Sequence, residues 1–122
     1  MASASDMVDR AQRATGDQIL TAGRFTVPRP PHTGIVVAVS PSRVYLLRRP
    51  SPGDGPDERL ALVHTFDRRR VAATIHTRLG SRTLTLEDTW TSERFDLVGE
   101  RSPDADVTAT MHTLSAIHEL AS

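Results

Sequence analysis

The side chains able to do chemistry in this chain are arginines, carboxylates, five histidines and a single tryptophan. All 15 basic residues are arginine. Without lysine there is no side-chain amine for Schiff-base chemistry, no lysine general base and no Walker-type phosphate lysine. Without cysteine there is no thiolate nucleophile, no disulfide and no sulfur-ligated zinc. Anion recognition is the chemistry open to the arginines. Arg48 and Arg49 form one cluster and Arg68, Arg69 and Arg70 another, and guanidinium forks grip phosphate or carboxylate bidentately.

The formal net charge is zero, so no global field draws the chain to nucleic acid or to an anionic membrane. The distribution is nevertheless uneven. Residues 43–82 carry 9 arginines against 4 acids, and residues 83–122 carry 2 against 8. The bland explanation is internal complementarity between a basic middle and an acidic end; the functional one is a ligand-binding arginine face. Nucleic acid is not an expected partner, because aromatics make up 4% of the chain and give no stacking platform between the basic residues.

The histidines do not suggest a metal. His64 and His76 fall in expected strands, His32 in a loop, and His112 and His118 in a helix, six residues apart and therefore about 240° around its axis. The acid pairs Glu87–Asp88 and Asp104–Asp106 read as turn and helix-start residues. No glycine-rich cradle, nucleophile elbow or HExxH accompanies them. Neither catalytic residues, nor a metal, nor a cofactor is expected. Trp90, between Thr89 and Thr91, sits at a loop, where it serves either as a binding anchor or as a cap on the core.

These groups need a scaffold, and the hydrophobic periodicity supplies one. The chain of 122 residues fits one domain. Residues 1–17 read as a polar segment or short helix, with Met7, Val8, Ala11 and Ala14 on one side and Gly16 as stop signal. From residue 18 the period becomes two, placing Ile19, Thr21, Phe25 and Val27 on one strand face. Pro28, Pro30 and Pro31 end that strand. A hairpin follows, from Gly34–Val39 through Ser40–Arg43 to Val44–Arg49. Residues 50–57 hold three prolines and two glycines and read as a loop. Leu60–Phe66, Val71–Thr77, Arg82–Glu87 and Glu93–Val98 complete seven strands, with Leu84, Leu86, Phe95 and Leu97 facing in. Ser102, Pro103, Asp104 and Asp106 then announce a helix whose stripe is Val107, Met111, Leu114, Ile117 and Leu120.

Arg43–Leu47, Leu60–Phe66, the Leu84 and Leu86 strand, and Phe95–Gly99 leading into the helix resemble the corresponding parts of bacterial pleckstrin-homology-like and GRAM-like domains. The resemblance spans residues 18–121 at the level of pattern. It implies an α+β fold: a seven-stranded antiparallel, partly open β-barrel or sandwich capped by a C-terminal α-helix, with residues 18–122 as one domain. In phosphoinositide-binding relatives the first loop carries clustered basic residues; here it offers only Arg29 and His32.

The expectation is a non-catalytic binding or assembly module. It recognises a protein partner, or itself, through a strand edge between Arg68 and Thr77 and the Trp90 loop. Two alternatives stand beside it: peripheral binding of anionic lipid through Arg48, Arg49, Arg68, Arg69 and Arg70, and a small α+β enzyme whose cavity is lined by His64, His76 and a carboxylate. The N-terminus shows no secretory signal, and the longest apolar run, Ile35–Val39, is far short of the ~20 residues of a membrane helix. A cytoplasmic location is expected.

Overall fold

Clean alternation in residues 82–87 and unbroken apolarity in residues 35–39 ask for two different environments. The computed structural model, which describes residues 4–49, 60–78, 80–101 and 107–121, contains both. Helix α1 (Ala4–Thr15) precedes strands β1 (Thr21–Thr26), β2 (Gly34–Val39), β3 (Arg43–Arg48), β4 (Ala61–Asp67), β5 (Val71–Arg78), β6 (Ser81–Asp88) and β7 (Arg94–Gly99), and helix α2 (Val107–Ala121) ends the fold. The proline- and glycine-rich loop 50–57 and the helix-start residues Ser102, Pro103, Asp104 and Asp106 lie outside the described residues.

The strands form one antiparallel sheet in the order β4-β3-β2-β1-β7-β6-β5, so β4 and β5 are its two edges. They are also neighbours in sequence, joined by a tight turn in which the Arg70 N–H donates to the Asp67 carbonyl at 2.9 Å. The sheet must therefore curl until its edges meet at this corner. Because β1 pairs antiparallel with β7, β4 and β5 point the same way in the flattened sheet. A turn this short joins them only where the half-sheets β1–β4 and β5–β7 cross steeply. Ladder contact between the halves is limited to Phe25 opposite Gly99 and Thr26 opposite Val98. The outcome is an open, curled α+β sheet with a helix at each end of the chain.

The concave side holds the main core: Phe25, Val37, Leu46, Phe66, Leu84, Leu86 and Leu97, closed by Val107, Met111 and Leu114 of α2. Each large apolar side chain buried here contributes roughly 1.5–3 kcal/mol. Gly99 lets α2 approach, since a Cβ there would lie 2.6 Å from Cγ1 of Val107. Gly80 turns β5 into β6 with φ of +78°, a left-handed conformation that glycine adopts without steric cost. The outer face of β5–β7 is polar and exposed, with Thr74, His76, Glu87, Arg94 and Asp96 upon it. That is why these strands alternate.

The outer face of β1–β3 differs. Ala22, Val36, Ala38, Tyr45 and Leu47 form a second core with Met7 and Ala11 of α1. Residues 4–15 of the N-terminal segment are a helix that buries Met7 and Ala11 against the sheet. Gly16 ends it with φ of +69° and donates its N–H to the Gln12 carbonyl at 2.8 Å. The Tyr45 hydroxyl donates to Oδ2 of Asp17 at 2.7 Å and fastens the connection. Two expectations need correction. Ile19 lies before β1 and joins the α1 core, whereas Phe25 and Val27 belong to the concave core; the strand is six residues long and its inward set begins at Thr21. Ala14 is exposed, because the contact face of α1 is set by Met7 and Ala11.

Candidate interaction surface

The five arginines singled out in the sequence do not form one surface. Arg43 at the start of β3 faces Asp67 and Arg48 at its end faces Ala61, so Arg48 and Arg49 lie at the opposite end of the strand from Arg68–Arg70, about 17 Å away at ~3.4 Å per residue. Two of the five are engaged internally. Arg49 forms an ion pair with Glu100, which Arg24 also approaches at 3.5 Å, and its side chain occupies the space left by the missing Cβ of Gly34. This is complementarity between the basic middle and the acidic end of the chain. Arg68 donates through one guanidinium nitrogen to the carbonyls of Ser40 and Pro41, both at 2.9 Å, and locks the β2–β3 turn. Arg48 and Arg69 remain exposed.

Arg70 and Trp90 come together. The Arg70 guanidinium carbon lies 3.5 Å from the Trp90 ring centroid, a cation–π stack. Trp90 is 72% exposed, so its role as a core cap is corrected: it is a surface aromatic. It is also held. The backbone N–H groups of Trp90 and Thr91 donate to Oδ1 of Asp88 at 2.8 and 3.2 Å. Thr89 donates both its N–H and its hydroxyl to the Arg70 carbonyl, each at 2.8 Å. Ser92, at φ of +63°, returns the chain and donates its N–H to the Asp88 carbonyl. The N–H of Trp90, with help from Thr91, His64 and Arg70, holds the Asp88 carboxyl below the usual carboxylate range.

A second tether joins the same turn to β4. Nδ1 of His64 lies 3.1 Å from Oε2 of Glu93, and the imidazole packs against Phe66 and Phe95 with centroids 4.5 and 5.1 Å away. The β6–β7 turn thus bridges the two edges of the curled sheet. No sequence signal announced this pairing, because residues 64, 70 and 90 meet only through the crossing of the half-sheets. His64 and His76 do not converge on a cavity wall: His64 faces inward from β4, and His76 stands on the exposed face of β5. No group of three or more metal-ligating side chains occurs among the described residues.

Neither edge strand has a further strand partner among the described residues, but the two edges are not equivalent. In β4 the register slips between Leu46 and Leu47, leaving Val63 as an extra residue opposite them. Such a bulge bends an edge away from partners. β5 pairs with β6 without a break from Val71 to Arg78 and carries no proline. It begins directly after Arg70, beside the Trp90 stack.

The fold and this surface define an α+β protein with a curled seven-stranded sheet, one regular open edge and a braced aromatic beside it. No protein-family model matches the chain, and no curated protein is significantly similar to it. No helix among the described residues is long and apolar enough to cross a membrane.

Proposed function

We propose that this chain is a PH-like, non-catalytic binding module that recognises a protein strand, from another protein or from a second copy of itself, along β5 and the Arg70–Trp90 stack. The observation that carries the proposal is a tryptophan that is 72% exposed yet pinned by its own turn and by Arg70, at the head of an unbulged edge strand. Exposed tryptophan and arginine are the residue types that dominate interface energies. Rigid presentation reduces the ordering cost of binding. The free backbone of β5 adds the hydrogen bonds of an extra strand. The seven-strand-then-helix order and the curled sheet are what the resemblance to PH-like and GRAM-like domains implies.

The anionic-lipid alternative needs the arginines to act together, and their separation on β3 with the internal engagement of Arg49 and Arg68 weighs against it. The test is site-specific photo-crosslinking from Thr74 or Trp90 in the producing cell, combined with vesicle flotation. A discrete protein adduct that survives raised salt and disappears with Ala73→Pro, at a position whose N–H faces away from β6, is the expected result. Flotation with anionic vesicles alone, lost as salt rises and without an adduct, would overturn the proposal.

A further inference from the structure

β7 is paired on one side only along much of its length. Arg94–Leu97 face Glu87–Leu84 of β6, but the β1 ladder reaches only Val98 and Gly99. The other backbone edge of Arg94–Leu97 therefore has no strand partner among the described residues. It borders a groove of about 360 Å³ in the seam between the half-sheets. Ile35, Leu46 and Leu97 make a buried apolar floor, and Val63, the bulge residue of the β4 edge, forms the opposite wall at 48% exposure. The groove is separate from the β5 edge.

Three charged residues line its rim: Arg29, Arg94 and Asp96. Asp96 is already neutralised, accepting from Nε of Arg94 at 3.2 Å and from the Thr85 hydroxyl at 2.8 Å. Arg29 is exposed; it adds to the field that keeps the Asp96 carboxyl charged but closes no ion pair with it among the described residues. The rim thus carries one surplus positive charge over an apolar floor, next to unpaired backbone. We infer that this groove is a second binding site, for an extended peptide segment in which apolar and acidic side chains alternate. Alternation fits because successive side chains of a strand point to opposite sides. The apolar set descends onto Ile35, Leu46 and Leu97, the acidic set stays at the rim by Arg29, and the peptide backbone pairs with Arg94–Leu97.

The test is amide chemical-shift titration of the full chain with a capped hexapeptide of alternating leucine and glutamate. Controls are the leucine–lysine counterpart, the same peptide N-methylated at every residue, and octanoate. Saturable shifts confined to residues 27, 29, 35, 46, 63 and 94–97 are expected with the leucine–glutamate peptide. Affinity should fall at least tenfold for Arg29→Glu, for Val63→Asp, for the lysine peptide and for the N-methylated peptide. Both substituted positions are solvent-accessible, and an unchanged far-UV spectrum confirms the fold of each variant. Absence of shifts, shifts confined to β5, equal binding of the N-methylated peptide, or binding of octanoate without the peptide would each overturn the inference.

Discussion

The guanidinium carbon of Arg70 lies over Trp90, 3.5 Å from the ring centroid, while the Arg70 carbonyl accepts two hydrogen bonds from Thr89. One residue therefore fixes both the backbone and the ring of the β6–β7 turn. Trp90 is the only tryptophan in the chain, so its fluorescence reports on this turn alone.

Removing the stack should free the ring without unfolding the protein. Arg70→Ala is expected to lower the fluorescence anisotropy of Trp90 while costing no more than about 0.5–1 kcal/mol of stability, the scale of an exposed cation–π contact. Arg70→Lys should keep part of the effect, because an ammonium has the charge but not the planar stack. An unchanged anisotropy in Arg70→Ala would show that the turn holds Trp90 without the arginine.

Acid should loosen the same turn. The folded carboxyl of Asp88 titrates below its ordinary value, chiefly because the Trp90 N–H bonds to the charged form. A depressed carboxylate stabilises at pH above the unfolded value of ~3.9 and loses that contribution as pH falls through the lower folded one. Trp90 anisotropy should be level from neutral pH to about pH 4 and drop below it. In Asp88→Asn it should start lower and lack that step, with far-UV circular dichroism separating the local change from global unfolding.

Close approach of α2 to the sheet depends on Gly99. Gly99→Ala places a methyl group against the buried Val107 at the start of the helix. Overpacking of this kind costs about 1–3 kcal/mol, read from urea midpoints. Gly80→Ala meets open space instead, and any loss there comes from φ alone.

The N-terminal helix should behave as part of the core. Met7→Ala leaves a cavity between α1 and the outer face of β1–β3, for an expected loss of about 2–5 kcal/mol. Removing residues 1–16 should uncover Val36, Tyr45 and Leu47 and produce aggregation visible by light scattering. Tyr45→Phe deletes the hydroxyl that bonds Asp17 and meets Arg43, and its cost should be about 1 kcal/mol.

Much of the scaffold could be read from residue patterns. Seven strands and the C-terminal helix follow from periods of two and three-to-four, which depend on the local geometry of the chain. The run Ile35–Val39 also carries a signal of its own: a strand apolar on both faces needs cover on both. That cover is α1. Its pattern of Met7, Val8 and Ala11 is short, and only the sheet beneath it makes the helix stable.

What the sequence determined by itself is the set of elements, the absence of lysine and cysteine chemistry, and the uneven charge. The tertiary structure decided which charges meet. It separated Arg48 and Arg49 from Arg68–Arg70, spent Arg49 on Glu100 and Arg68 on the β2–β3 turn, and set Arg70 against Trp90. It also left one backbone edge of Arg94–Leu97 without a strand partner among the described residues, beside Arg29. The physical reason is that each partnership joins residues some 20 to 70 positions apart. Their meeting is fixed by the curl and crossing of the sheet, a property of all seven strands together that no local window of sequence contains.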